Sequence, residues 1–208
     1  MDEARPDPLL DRVRGGDPAA LAELFSRHKP LLRRMIELRL DPRLNGRVSP
    51  SDILQEAWLD ALRRIQHFAA RPEMPFLVWL RLIAVQRMID VHRQHLGAAM
   101  RNAGKEAPPP STAMLAAHVA GGLTSPSQAA IRRETLERLE DALERMDATD
   151  REVLALRHFE ELSNHETAAA LGIQPAAASK RYVRALSRLR EALSVLPGFW
   201  EEEEESPS

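Results

Sequence analysis

Residues 162–193 read LSNHETAAALGIQPAAASKRYVRALSRLREAL. Ser163 with Glu166 three positions on is a capping box: the serine hydroxyl takes a free backbone N–H of the first turn, and the glutamate reaches back to the serine's own N–H. The short helix this opens ends at Leu171-Gly172, where glycine suits the left-handed position beyond a helix C-terminus. Ile173 can plug the space between this helix and the next, which starts near Pro175 and runs to about Leu193. The second helix is two-faced. Ala178, Tyr182, Ala185, Leu186, Leu189 and Leu193 fall on one side, and Lys180, Arg181, Arg184 and Arg188 on the other. Between Gln174 and Ala192 five basic residues stand against one acid, Glu191. A short capped helix, a glycine turn and a longer basic helix make a helix–turn–helix pattern. Ala176, Ala177 and Ser179, small and early in the second helix, permit close approach of a partner.

Working upstream, helical periodicity continues and strand-like alternation is hard to find. Leu136, Leu139, Leu143 and Met146 form the stripe of one helix. Thr149-Asp150-Arg151-Glu152 reads as a capping box for the next, which carries Val153, Leu154, Leu156 and Phe159. Before them, Gly97 to Ala130 holds Pro108-Pro109-Pro110, Gly121-Gly122 and Ser125-Pro126-Ser127, a linker composition in which Met114 to Val119 offers at most a helical turn. Further upstream three helices are expected: Pro18 to Leu40, capped by Asp17 and with Pro30 as a kink or break; Ser49 to about Gln66, with a capping serine, proline at the first position and Asp52 in the first turn; and Pro75 to about His95. Downstream, Pro197-Gly198 stops the last helix, and Glu201 to Glu205 form an acidic tail expected to be disordered. The fold class is therefore all-α. Two small helical domains, 1–96 and 131–196, are joined by a flexible linker, 97–130, and followed by the tail, 197–208.

Composition narrows the function. The 208 residues contain no cysteine, which removes disulfides, thiol catalysis and cysteine-based zinc sites together. No run is long and apolar enough for a membrane span, and the opening MDEARPDPLL lacks the basic-then-apolar order of a signal peptide, so a cytoplasmic protein is expected. Formal net charge is −2, but the tail alone carries five acids, so the remainder is basic by about three charges. Local patches decide where a polyanion docks, and the basic helix is one. There is no phosphate-cradling glycine loop and no Gly-x-Ser-x-Gly elbow. His165-Glu166 lacks the second histidine of a zinc-protease motif, and His92 with His95 lacks further ligands. Neither an enzyme, a cofactor nor a metal is expected.

Two further stretches could carry function. On the helix Asp52 to Gln66, Leu54, Ala57, Trp58, Ala61, Leu62 and Ile65 make a core stripe, opposed by Asp52, Gln55, Glu56 and Asp60; periodicity alone describes this as a solvated face. On Pro75 to His95, Phe76, Trp79, Leu80, Ile83 and Met88 look like core, while Arg81, Gln86, Arg87, His92 and Arg93 are polar or basic. Aromatics among basic residues suit single-stranded DNA, although Trp79 reads as core.

Together these stretches resemble the sigma-70 family of RNA polymerase sigma factors, in its extracytoplasmic-function (ECF) subfamily. Asp17-Pro18-Ala19-Ala20-Leu21-Ala22-Glu23-Leu24-Phe25 looks like the opening of sigma region 2. Ser51-Asp52-Ile53-Leu54-Gln55-Glu56-Ala57-Trp58 is similar to the family's Asp-x-x-Gln-Glu helix, and Phe76-Leu77-Val78-Trp79-Leu80-Arg81-Leu82-Ile83-Ala84 to its Trp-Leu helix, with Asp90 and Arg93 at the matching end. Leu162 to Leu193 resembles region 4. The resemblance implies that Asp52, Gln55 and Glu56 bind the clamp of core RNA polymerase. It implies that Gln86, Arg87 and Arg93 meet the promoter −10 element, and that Ala177, Lys180, Arg181, Arg184 and Arg188 meet the −35 element. An anti-sigma factor is a further partner it leaves open. The chain departs from the pattern at Gln86, where many relatives have Asn, in the loop Ala69 to Pro75, in Pro175-Ala176-Ala177-Ala178 and in the acidic tail. Two other functions fit the same elements: a stand-alone helix–turn–helix regulator, which binds DNA without polymerase, and a helical adaptor, which binds protein without touching a promoter.

Overall fold

The computed structural model describes residues 7–71, 73–96, 107–121 and 129–194. Among these residues there are nine α-helices and no strand. In chain order they are α1 (Pro8–Arg14), α2 (Pro18–Arg39), α3 (Pro50–Ala69), α4 (Phe76–Leu96), α5 (Thr112–Gly121), α6 (Ala129–Glu144), α7 (Ala148–Leu154), α8 (Asn164–Leu171) and α9 (Pro175–Ser194). A π-helical turn, Ala155–Phe159, extends α7. The acidic tail Glu201 to Glu205 and the linker residues 97–106 and 122–128 lie outside the described residues.

The helix starts follow local chemistry. Asp7, Asp17 and Asp147 cap α1, α2 and α7 with their carboxylates, and Ser49 and Ser163 open α3 and α8 with complete capping boxes. Pro30 neither breaks nor ends α2, which runs through it with the ring exposed. Helix α1 was not evident from periodicity: its seven residues bury only Leu9 and Val13. The start of α7 differs from the expected capping box. Asp147, not Thr149, is the cap, accepting a hydrogen bond from the Thr149 N–H at 2.9 Å, and Glu152 is turned elsewhere.

The first domain packs α2, α3 and α4 around Leu21, Met35, Ile53, Ala61, Phe68, Leu80 and Met88, with α1 closing one side. Trp79 lies in this core, its ring 5.1 Å from that of Phe68. The second core joins Leu139, Leu143, Leu154, Phe159, Ala185, Leu189 and Leu193. It also takes in Leu115, Ala116 and Ala120 of α5, so the stretch with a linker composition contains a ten-residue helix packed on α6. The two domains touch. Leu156 and Leu162 of the second are buried in the first domain's core, α8 lies against α4, and the Ser111 N–H donates to the Leu38 carbonyl at 2.9 Å.

Candidate nucleic-acid interface

Gly172 turns the chain between α8 and α9 with φ of +63°, a left-handed conformation that costs a side-chain-bearing residue steric energy. Just behind the turn, the Asn164 side chain donates to the Pro175 carbonyl at 3.0 Å and ties the two helices together. The N-terminal half of α9 is thereby presented to solvent: Gln174, Pro175, Ala176, Ser179 and Lys180 are exposed, and Ala177 is half-buried. Lys180 makes no ion pair among the described residues.

The three expected arginines behave differently. Asp150, on α7, is fully buried at its side chain, and all three guanidiniums converge on it. Arg184 grips it with two bonds, Nε to Oδ2 at 2.7 Å and Nη2 to Oδ1 at 2.6 Å. Arg181 donates to Oδ1 at 3.2 Å, and Arg188 stands at 3.7 Å. The Arg184 hydrogen bonds, with those of Arg181 behind them, hold the Asp150 carboxyl below the usual carboxylate range against the opposing effect of burial. Each arginine keeps a third to a half of its side chain exposed, so N–H groups remain for a phosphate or a base edge. Periodicity could not reveal this hub, because Asp150 lies some thirty residues away in sequence.

A similar hub organises the second candidate surface. Asp60, expected on the solvated face of α3, is buried instead. It forms ion pairs with Arg87 of α4 at 3.0 Å and with Arg63 and Arg64 of its own helix at 3.3 and 3.5 Å. Arg87 also pairs with Asp90 at 3.0 Å, and Asp90 accepts a hydrogen bond from Gln86 at 3.0 Å. Gln86 and Arg87 are thus held in place, half-exposed, while Arg93 a turn or two later is exposed. Gln86 borders a pocket of about 430 Å³ with Arg64, His67, Arg71, Trp79 and Leu82. Arg64, His67 and Arg71 were not singled out from the sequence; their signal was three basic residues at the end of α3 and in the following loop. His92, by contrast, is buried and faces the Asp41 backbone N–H at 3.4 Å, so it is not part of a basic surface.

The third surface is the polar face of α3. Asp52, Gln55 and Glu56 are all exposed and lie within about one turn of each other. Asp52 serves twice. Its Oδ2 accepts from the Ser49 N–H at 2.9 Å, which closes the capping box with the Asp52 N–H donating to the Ser49 hydroxyl oxygen at 3.2 Å; Oδ2 also accepts from that hydroxyl at 2.7 Å, and the Ser49 bonds hold the carboxyl below its ordinary range. No group of three or more His, Asp or Glu side chains placed to hold a metal is found among the described residues.

A two-domain helical protein with a helix–turn–helix of this form, a basic pocket on its other domain and an exposed polar helix face belongs to the class of DNA-binding transcription proteins. Comparison makes the class specific. Family models for Sigma-70 region 2 and Sigma-70, region 4, match residues 24–96 and 136–189. The chain is 30% identical to the ECF RNA polymerase sigma factor SigD of Mycobacterium tuberculosis over 193 residues, covering 93% of this chain and 86% of that one. It is also 30% identical to the RNA polymerase sigma factor CarQ of Myxococcus xanthus, covering 90% of this chain and 97% of that one. Among solved structures, CnrH in complex with the cytosolic domain of CnrY superposes with a TM-score of 0.52 at 22% identity, over 89% of this chain and 95% of that one, which shows a shared fold.

The chain belongs to the ECF subfamily of sigma-70 RNA polymerase sigma factors. It binds core RNA polymerase and promoter DNA and directs promoter-specific transcription initiation. No helix among the described residues is long and apolar enough to cross a membrane.

Proposed function

We propose a division of labour among three surfaces in that initiation reaction. The face of Asp52, Gln55 and Glu56 docks on the polymerase clamp. The α3–α4 surface, with Gln86, Arg87 and Arg93 and the basic pocket beside them, engages the −10 element as the duplex opens. An extruded base stacks and hydrogen-bonds in the pocket, which offsets part of the cost of unstacking it. The N-terminal half of α9 enters the major groove at the −35 element. Lys180 reaches DNA directly. Arg181 and Arg184 read base edges from positions set by Asp150, and Arg188, a turn later, meets phosphate. Ala177 admits close approach of the helix to the groove wall. No bond is made or broken by this chain: it acts as a cytoplasmic, non-enzymatic subunit, with 1–96 and 131–196 as its working domains. A restraining anti-sigma factor is a further partner. The apolar groove of about 800 Å³ on the second domain, where Val183 and Leu186 of α9 stand exposed, suits a helix from such a protein.

The observation that carries this division is the presentation of α9: its first turns are exposed beyond a left-handed glycine, while a buried aspartate orients the arginines behind them. Transcription in vitro with core polymerase on a promoter library tests it. Alanine at Asp52, Gln55 and Glu56 together should weaken core binding with helicity intact. Alanine at Lys180 should instead leave core binding unchanged and depress −35-dependent promoters. If both variants bind core and transcribe like the unmodified protein, the division is wrong.

A further inference from the structure

Residues 195–208, which lie past the described part of α9, read VLPGFWEEEEESPS. Phe199 and Trp200 stand between a Pro197-Gly198 turn signal and five glutamates. Each such ring removes about 150–250 Å² of surface from water when it packs. Their neighbours in sequence, a glycine on one side and acids on the other, offer no cover. The chain's other aromatic residues all pack on a further ring: Phe25 on Trp58, Phe68 and Phe76 on Trp79, Phe159 on His118, and Tyr182 on His158.

The second domain offers an apolar groove of about 800 Å³ whose lining includes Leu193, at the end of α9. Leu115 and Val119 of α5, Leu143 of α6, Phe159, and Leu186 and Leu189 of α9 form most of its wall. Val183, also in the lining, is 61% exposed, more than any other large apolar side chain among the described residues. Monomeric proteins seldom leave a large apolar patch open unless something sits on it. The Phe159 and His118 rings, 4.3 Å apart, give the groove a face suited to further aromatics.

Chain length and charge select the occupant. The α9 lining runs from Val183 to Leu193, about 15 Å along the axis, and α9 ends at Ser194, at one end of that lining. A reversal at Pro197-Gly198, two residues out and two back, returns Phe199 and Trp200 over Leu189 and Leu193. The five glutamates that follow span up to about 17 Å when extended. Lys180 lies about 14 Å from Leu189 along the axis. The acids therefore reach past Ser187 to Lys180, which is exposed, and to Arg184, half of whose side chain is exposed. They run toward the N-terminal end of α9, where the helix dipole favours negative charge. Rings first and acids next is the order in which the groove and the basic flank of α9 are met.

We infer that Phe199 and Trp200 seat in this groove in the free protein and lay Glu201 to Glu205 along the flank of α9, so that the chain's own tail shields the −35 reading helix. A partner helix that docks in the groove then has to displace the tail. The seating does not depend on the −35 reading; the shielding rests on it, and the two are tested separately. Because the chain has no cysteine, Ser187→Cys with Glu202→Cys places one thiol at the groove and one on the tail of the full chain. Mild oxidation should close an intramolecular disulfide roughly tenfold faster than in Arg188→Cys with Glu202→Cys, whose helix position faces away from the groove at nearly the same separation in sequence. Adding Phe199→Ser and Trp200→Ser should remove that advantage. Equal rates for the two pairs, or a rate unmoved by loss of the rings, would overturn the seating. A disulfide formed between two chains would overturn it as well, by giving the groove to the tail of a second copy. For the shielding, the full chain is titrated with a duplex carrying the −35 element at low salt. Phe199→Ser with Trp200→Ser, and separately glutamine at all five glutamates, should each tighten binding about threefold to tenfold, with the gain fading as salt rises. Lys180→Ala, measured alongside, should weaken binding. If it does and neither tail variant gains, the tail does not shield α9; if Lys180→Ala has no effect, the −35 assignment fails and the shielding falls with it.

Discussion

Helix α7 carries two acids two residues apart that face opposite ways. Asp150 turns to α9 and gathers Arg181, Arg184 and Arg188; Glu152, with Glu160 beyond it, turns to the first domain and meets Arg39 and Arg81. Both clusters are arginines around buried carboxylates, yet the arginines around Asp150 keep a third to a half of their side chains in solvent, whereas Arg39 and Arg81 keep almost none. Exposed guanidiniums are oriented by the carboxylate and still have N–H groups to offer a phosphate. Buried ones are committed, and leaving one without its partner is expensive. One helix therefore supports two arginine clusters, one open to solvent and one sealed between the domains.

The largest expected effect is on the buried cluster between the domains. Glu160→Ala leaves two buried guanidiniums short of a partner and should cost about 3–5 kcal/mol of stability, read by chemical denaturation of the full chain. Replacing all four charges by apolar residues of similar volume should cost far less, because no ion is stranded. Equal losses for the two variants would mean that packing, not charge, holds the domains together.

Asp150→Asn probes the other cluster. Stability should fall by roughly 1 kcal/mol, since the arginines are solvated already. The clearer readout is promoter choice: with the three guanidiniums no longer oriented, preference among −35 sequences should relax while non-specific DNA binding holds or rises. Alanine at Arg181 or Arg184 should cost about 1–3 kcal/mol on the preferred −35 sequence, and alanine at Arg188 should lower the salt slope by about one without altering preference.

Acid should act on both clusters with the same sign. Asp150 and Glu160 are held below their ordinary values, Asp150 mainly by its bonds to Arg184, and Glu160 by Arg81 and Arg39 against the opposing effect of burial. Such groups bind more protons unfolded than folded, so their stabilisation is complete above their ordinary values of 3.8 and 4.5 and is lost as pH falls below them. Three histidines add to this at milder pH. Burial lowers His28, His92 and His158 below 6.5, so each favours the folded state above that value and progressively less below it. Denaturation midpoints should therefore slope gently downward below pH 6.5 and steeply below pH 4.5. A flat profile from pH 7 to 4 would contradict these assignments. The smallest effect is expected at the exposed pair of Arg34 and Glu161, where Arg34→Ala should change stability by about 0–1 kcal/mol.

Most of the fold was legible in the sequence because capping and periodicity are local. Ser49, Ser163 and Gly172 act as their types and spacing imply, and the leucine stripe of α9 is buried at Ala185, Leu189 and Leu193. What local rules could not supply were pairings across the chain. Thr149-Asp150-Arg151-Glu152 has the composition of a capping box, but Asp147 caps α7, and both acids of the motif are spent on residues far away in sequence. Asp60 reads as part of a solvated helix face, and Arg81 as a basic position open to DNA, for the same reason: a charged residue reads as surface until its partner is known, and both are buried. Helix α5 was obscured by the prolines and glycines that flank it, although its own Leu115, Ala116 and Ala120 are buried.

The division of labour is tested most directly by transcription in vitro with core polymerase, comparing the unmodified chain with Lys180→Ala on promoters that differ only in the −35 element. The expected result is unchanged core affinity with a selective loss on the preferred −35 sequence, so that the two proteins converge on templates whose −35 element is scrambled. Equal transcription by both proteins on every template would contradict it.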